Sequence, residues 1–494
     1  MKRFAIYIIV ASSISLAFAQ APPKRELRAA WVATVANIDW PRDRNAPATE
    51  QVFELIQLFD ALEEAGINAV FFQVRTEADA LYMSPHEPWS YWLTGEQGTP
   101  PDPFFDPLAY AVELAHQRNM ELHAWFNPYR AAHDVAKYEA ARSHVTKRRP
   151  DLTLKFGDYR LLDPGSPEVR RIVKRVVADV VTRYDVDGVH FDDYFYPYDK
   201  IESEDSLSFD WFGGETLDVD DWRRHNVNRL MAELYAAIKS VKPRVKFGIS
   251  PFGIVKNEYA GTDGFDSYEI LYCDPLTWIN DRTIDYVNPQ LYWKIGHERA
   301  DFAKLLPWWA SVKGARHLYV GLYASKMARE DYEDPAMLGK QLRMTRAIDG
   351  VDGVVYFSAK AIGGNWNGLA DSMRTDWFAY PSFPPTAPWL DALPPKEPFD
   401  PVARPDSASG GARLSWGDPR PAEDGEKPYY YVVYSADDRA PNVEDPRDVL
   451  RVLPPGKRGF VDADYEEGRV YLVSAFDRLH NESAPVKVRF LEDE

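Results

Sequence analysis

Eight short stretches rich in apolar and β-branched residues recur along the chain, each separated from the next by a segment of helical periodicity. They cover residues 28–34, 68–75, 120–130, 186–197, 245–253, 285–293, 317–325 and 352–360. Near-continuous hydrophobicity of this kind is the pattern of strands covered on both faces. In the first intervening segment Val52, Leu55, Ile56, Phe59 and Leu62 follow Thr49 at helical spacing and stop at Gly66, where a helix C-terminus belongs. Ser166 and Pro167 open another segment as cap and first helical residue. Further helices are expected near 107–118, 221–241, 301–312 and 335–348. Eight strands alternating with helices predict an α/β fold, a (β/α)8 TIM barrel over 24–380. An open doubly wound sheet would carry a glycine-rich phosphate turn after its first strand, and none follows Thr34.

Beyond the barrel the pattern changes. Between 381 and 405 nine of 25 residues are proline, which neither continues a helix nor pairs in a central strand, so this stretch is expected to be a stiff linker. Short β-rich runs at 412–418, 429–436, 468–477 and 484–490 then predict a small all-β sandwich over 406–494. At the other end Lys2 and Arg3 precede an apolar run from Phe4 to Phe18, with Ala17-Phe18-Ala19 as a small-x-small site before Gln20. This is the pattern of a signal peptide over 1–19, and it predicts a secreted or periplasmic protein cleaved near Ala19. The run is too short for a membrane anchor, and no cysteine stands at the cleavage point to take a lipid. No other segment is long and apolar enough to be a transmembrane span.

Composition narrows the partners. The formal net charge of -18 becomes -20 once Lys2 and Arg3 are removed, so nucleic acid and anionic lipid are disfavoured by like-charge repulsion. With 45% hydrophobic and 14% aromatic residues the chain has ample apolar surface to order itself. Cys273 is the only cysteine, which excludes intrachain disulfides and thiolate metal clusters and leaves it as a small buried hydrophobe.

In a barrel of this type the C-terminal strand ends form the active face. The fourth run places His190, Asp192, Asp193, Tyr194 and Tyr196 together, and adjacent carboxylates at a strand end are costly unless something uses them. The second run ends in Gln73, Arg75, Glu77 and Asp79, and the third in His123, Trp125, Asn127, Tyr129 and Arg130. The sixth ends in Asn288, Gln290, Tyr292 and Trp293, and the eighth in Tyr356, Ser358 and Lys360, followed by Asn365 and Trp366. Amides, hydroxyls, a guanidinium and flat aromatic faces on one rim make a sugar-binding surface, although any single Trp is more often core than platform. His123 and His190 lie on adjacent strands, but no H-x-H pair and no G-x-S-x-G elbow exists, so neither a catalytic metal nor a serine nucleophile is expected. No cofactor is called for. The insert from Asp199 to Asp220 carries seven acidic residues from Glu202 onward; covering one edge of the site and forming a solvated loop are both compatible with it.

RELRAAWVATVANIDWP, FFQVRTEADALY, HAWFNPYR, GVHFDDYFYP and DYVNPQLYW together resemble the bacterial glycosyl hydrolase-like 10 family over about residues 24 to 380. The tail, with LSW, YYYVVY and AFDRLHNES, looks like a fibronectin type III-like module. The resemblance implies a secreted or surface glycoside hydrolase acting on an oligosaccharide or polysaccharide, with peptidoglycan strands stripped of peptide as one implicated substrate. Ala78 departs from the glycine more common before the aspartate at position 79.

Glycoside hydrolysis usually needs two carboxyl groups on opposite sides of the bond, which neighbouring residues do not easily supply. Two routes remain. In one, the substrate's own acetamido carbonyl is the nucleophile, with Asp192 orienting it and Asp193 as acid. In the other, Asp193 works with Asp79, Glu77 or Asp274 on a glycan that need not be acetylated. Competing classes are a carbohydrate-binding protein with a degenerate centre and an attachment protein in which the β-sandwich does the work.

Overall fold

In the computed structural model, which describes residues 22–214, 217–437 and 439–491, the eight apolar runs close into one parallel barrel. The expected signal segment 1–19 lies outside the described residues. The barrel strands are β1 (Leu27–Val32), β2 (Ala69–Arg75), β3 (Glu121–Phe126), β4 (Gly188–Phe191), β5 (Lys246–Ile249), β6 (Tyr286–Val287), β7 (His317–Leu322) and β8 (Gly353–Tyr356). Each pairs with its neighbours in sequence, and β1 pairs with β8 to close the ring. The strands end earlier than the apolar runs, because beyond their C-terminal ends the chain turns into the loops of the upper rim. Among the packed helices are α1 (Ala48–Glu64), α2 (Pro107–Gln117), α3 (Pro167–Arg183), α4 (Val219–Val241), α5 (Phe302–Val312) and α6 (Met337–Arg346). Gly66 does end the first, at φ 78. Thr49 lies inside α1 rather than capping it, and Ser166 holds the cap position of α3 without a side-chain cap bond.

Side chains of period two divide between two cores. Ala30, Val32, Val70, Phe72, Leu122, Val189, Phe247 and Val320 face the helices and belong to the large core there. Residues of the other parity, among them Leu27, Ala29, Trp31, Phe71, Trp125, Tyr286, Tyr319 and Val355, fill the cylinder. No helix among the described residues is long and apolar enough to cross a membrane.

The C-terminal region forms two four-stranded sheets from β9 (Phe399–Asp406), β10 (Gly411–Gly417), β11 (Tyr430–Ala436), β12 (Val449–Leu453), β13 (Gly459–Asp462), β14 (Val470–Phe476), β15 (Val486–Lys487) and β16 (Arg489–Phe490). The orders are β13-β10-β9-β16 and β12-β11-β14-β15. Ala412, Leu414 and Trp416 of the first share a cluster with Tyr431, Val433 and Val473 of the second. The expected linker does not run to 405. Its last residues are strand β9, which accommodates Pro401 at a register shift between Phe399 and Val402. The rest is a packed strap: the Phe383 ring lies tilted 4.9 Å from that of Phe476, Trp389 donates to Asp285 at 2.8 Å, and His317 bonds the Thr386 carbonyl at 3.0 Å.

The strap and the tight turn after β14 close the N-terminal mouth of the barrel. Arg478 donates to Asp187 at 2.9 Å and to Asp185 at 2.5 Å, and His480 reaches Glu121 at 2.6 Å. On the same lower side Glu26 binds Arg28 at 2.7 Å and Arg346 at 2.7 Å. Burial pushes the Glu26 carboxyl up, but the two guanidiniums outweigh it and hold it below its ordinary value. Glu26→Leu would leave two cations without their anion and should cost about 3–5 kcal/mol by urea denaturation at neutral pH. The wild-type contribution is complete above the unfolded carboxylate pKa of about 4.3 and fades as pH falls below it. A cost under about 1 kcal/mol would show that the cluster adds little to stability.

Candidate active site

The upper mouth of the barrel holds a pocket of about 260 Å³, near the lower end of the range for small-ligand sites. Its walls include Trp31, Gln73, Trp125, Arg130, Asp192, Tyr194, Tyr198, Ser250, Gln290, Tyr292, Tyr323 and Phe357. Parity explains the set. Trp31, Gln73, Trp125, Asp192 and Ser250 share the phase of the inward residues of their strands, so each side chain leaves the cylinder at its open end.

Asp192 is the carboxylate on this wall among the described residues. Its Oδ2 accepts from the Trp125 indole at 3.2 Å and from the Asn127 amide, and its Oδ1 accepts from the backbone N–H of Tyr194 at 3.4 Å. Burial pushes its carboxyl up to about 7, against the pull of Arg130 and with help from the Asp193 charge. Asp193 has the opposite parity and sits fully buried behind the wall. It accepts from the Tyr198 hydroxyl at 2.6 Å; burial raises it, while Tyr198 and the Gln290 amide draw it back. The Arg130 guanidinium lies 4.2 Å from the centre of the Tyr194 ring, and its Nε has no hydrogen-bond partner.

The structure therefore gathers Asp192, Trp125, Arg130, Tyr194, Gln290 and Tyr292 at one pocket, with Asp193 and Asn127 directly behind. It places the other expected site residues elsewhere. His123 and His190 are fully buried on the barrel axis below the pocket. Arg75 forms a bidentate pair with Glu87 and donates to the carbonyls of Asn127 and Pro128, so it braces two loops. Asp79 closes a turn by accepting from Thr76 and the Glu77 N–H. Ala78 beside it is held at φ 52, a left-handed conformation that glycine adopts more easily. Tyr129 and Tyr196 point into the core beneath the helices, Tyr196 edge-on to Tyr272. Trp293 packs against Phe252, and Asn288 is fully buried with its amide unpartnered.

Trp366 lies on a second, wider arm of the cleft, joined to the pocket through Ile38, Tyr323 and Phe357. The Lys360 ammonium stands 5.8 Å from its ring centre. Trp31, Tyr198, Ser250, Phe252, Tyr323 and Phe357 also line the pocket, beyond the residues the sequence pattern points to. Ser250, a hydroxyl ending an apolar run in the phase of inward residues, was the readable signal among them.

Each distant carboxylate is bound into a loop or cap, although Asp79 is held through Oδ1 alone and its buried Oδ2 has no partner. Glu77 accepts from Trp92, Tyr138 and the His133 N–H, and Asp274 caps the short helix Pro275–Asn280 through Thr277. Asp391, Asp424 and Glu426 converge closely enough to hold a cation, but Arg244 pairs with all three.

The model of the family described as glycosyl hydrolase-like 10 matches residues 26–337. The chain belongs to this family. It is 38% identical to the glycosyl hydrolase YngK of Bacillus subtilis over 98% of both chains. It is 35% identical to the glycosyl hydrolase DigH of Escherichia coli K12 over 67% of this chain and 82% of that one. Among solved structures, the PgaB (BpsB) glycoside hydrolase domain of Bordetella bronchiseptica superposes with a TM-score of 0.47 at 13% identity, covering 71% of this chain and 98% of that domain. Membership of this family makes the chain a glycosidase-like enzyme with a carbohydrate substrate.

A test of the site's electrostatics follows from Asp192. Its folded pKa of about 7 lies above the unfolded value, so folding favours the protonated form. That stabilising share is complete below about pH 4 and is lost as pH rises through about 7. Asp192→Asn fixes the uncharged form, so at about pH 8 it should melt several degrees above wild type, with the gap closing toward pH 4. An Asn variant that melts below wild type at the higher pH would contradict this.

Proposed function

We propose that the protein is an exported glycoside hydrolase that cleaves O-glycosyl bonds in N-acetylated glycans, peptidoglycan strands lacking peptides being the favoured substrate. The observation that carries this reading is the isolation of Asp192. One half-neutral carboxyl lines the pocket, and the carboxylates that could have served as its distant partner are bound into loops and caps. A single carboxyl supports acid–base work at one side of the bond. The nucleophile on the other side is then supplied by the substrate's 2-acetamido oxygen, which requires N-acetylated sugars.

In this reading Asp192, rather than Asp193, hands the proton to the leaving oxygen and then takes one from water. Its support is the exposure of Asp192 to the pocket and its pKa near the working pH. Asp193 orients Tyr198, whose hydroxyl it accepts, and Tyr198 with Trp125 and Tyr292 would frame the acetamido group. The same reading takes residues 1–19 as a cleaved signal peptide and the two C-terminal sheets as a fibronectin type III-like sandwich.

Incubation with denuded peptidoglycan strands, chitin oligomers and plain glucans, followed by mass analysis, should show cleavage of the acetylated substrates alone. A thiazoline mimic of the cyclised intermediate should inhibit. Cleavage of glucans at a comparable rate, or an active preparation indifferent to the thiazoline, would overturn the substrate-assisted route. Turnover should fall as pH rises through about 7, because the acid form of Asp192 is lost, and Asp192→Asn should lower it by roughly 10²–10⁴-fold.

A further inference from the structure

Below the pocket a chain of hydrogen bonds runs down the barrel axis to the mouth closed by the C-terminal region. The Trp31 indole and the Ser250 hydroxyl, both on the pocket wall, lie 3.1 Å from His190 Nε2. His190 Nδ1 lies 3.1 Å from the Tyr286 hydroxyl, which lies 2.9 Å from His123 Nδ1. His123 Nε2 lies 2.9 Å from Glu121 Oε2. The other oxygen of Glu121 accepts from Lys246 and from His480 Nε2 in the C-terminal turn. The two strand glycines on this path are fitted to it. A Cβ at Gly188 would stand 2.2 Å from the His123 ring, and one at Gly248 would stand 2.1 Å from the Tyr286 ring, so both strands give up a side chain to admit these two rings.

The direction of every proton in this chain follows from its ends. An indole N–H can only donate, so His190 Nε2 must carry a lone pair. A neutral imidazole then bears its proton on Nδ1 and donates to the Tyr286 oxygen. Tyr286 has one proton, and it goes to His123 Nδ1. That leaves the His123 proton on Nε2, facing Glu121, which accepts only. At the far end Tyr430 lies 3.0 Å from His480 Nδ1, consistent with a His480 that donates to Glu121 through Nε2. Burial lowers the pKa of His190 and of His480, while Lys246 and the two histidines outweigh burial in keeping Glu121 well below the usual carboxylate range.

We propose that Glu121, His123 and Tyr286 are positioning residues that form a one-way relay holding His190, and through it Trp31 and Ser250, in a single proton arrangement, with His480 of the C-terminal region completing its lower end. One consequence concerns specificity. The Ser250 proton goes to the lone pair of His190 Nε2 that Trp31 shares, or to the Phe191 carbonyl at 3.4 Å; either way the hydroxyl presents lone pairs to the pocket, so it accepts from a substrate N–H or O–H and does not donate to a carbonyl. The inference rests on the reading of this pocket as the glycan site.

The test uses the full chain labelled at histidine nitrogen and long-range proton–nitrogen correlation spectra. At neutral pH His190 should be protonated on Nδ1 alone, and His123 and His480 on Nε2 alone; an Nε2 proton on His190 overturns the relay. Tyr286→Phe keeps the ring and removes only the link between the two imidazoles. Trp31 and Glu121 still fix the two tautomers in it, so it should shift the Nδ1 resonances of both imidazoles, which lose their shared partner, and lower turnover roughly tenfold with little change in KM. A variant whose Nδ1 resonances stay in place, or that turns over like wild type, overturns the positioning role. His480→Leu should move the His123 resonances and leave in place those of His144, whose Nε2 bonds the Glu77 carbonyl at 2.8 Å beyond the upper end of β2; unmoved His123 signals would remove the C-terminal region from the relay. The wild-type spectra are independent of turnover, so the expected tautomers in a chain that cleaves none of the glycans would sink the functional reading and not the relay.

Discussion

Closing eight short parallel strands into a cylinder leaves each side chain two destinations, the axis or the helix layer, and consecutive residues cannot share one. That constraint decides which of two adjacent aspartates meets the pocket. His190 and Asp192 lie on the axis side of β4, Phe191 in the helix-facing core, and Asp193 follows Phe191 out of the pocket. The same phase carries Gln73, Trp125 and Ser250 to the open end. A single alternation therefore separates the carboxyl that lines the pocket from the one that accepts from a neighbouring tyrosine.

The axis is polar where many barrel interiors are aliphatic, and this sets a second requirement. Each buried donor and acceptor needs a partner, because an unmade hydrogen bond in a dry interior costs about 1–3 kcal/mol. The interior answers with a column whose members satisfy one another from Trp31 to Glu121, and with Lys246 to neutralise the charge at its base. Asp192 stands at the upper end of this column without a paired cation in hydrogen-bond contact, which is why burial moves it toward neutrality while Glu121 remains charged.

Much of this was legible in the sequence. Runs covered on both faces and their regular spacing identify the barrel, and FDD at a strand end identifies the carboxyl pair. Position within the rim is not legible, because a set of strand-end residues carries no phase until the strand's inward parity is known. Tyr129 and Tyr196 look like platform residues in a linear reading, yet they fall toward the helix core. Arg75 and Asp79 carry the charges expected of a site, but an arginine within reach of Glu87 and an aspartate one turn from Thr76 are consumed locally. Trp31 and Phe357 were hidden for the opposite reason: an aromatic inside an apolar strand has no compositional mark to separate pocket wall from core. Proline does not exclude a strand here, since one paired only briefly on one side tolerates Pro401 at a bulge and Pro405 beyond that short pairing.

The two ends of the barrel divide their tasks. The upper end holds a carboxyl raised to about 7, an arginine with an unpartnered Nε and aromatic walls around open space, all of which are unfavourable for folding alone and useful to a ligand. The lower end holds dense ion pairs and the packed strap, and the turn at His480 inserts there. Stabilisation placed at the mouth farthest from the pocket can offset the local cost of a desolvated acid without crowding the substrate. On this arrangement the C-terminal region need not line the pocket to bear on its geometry. It closes the base of the column on which the pocket wall stands.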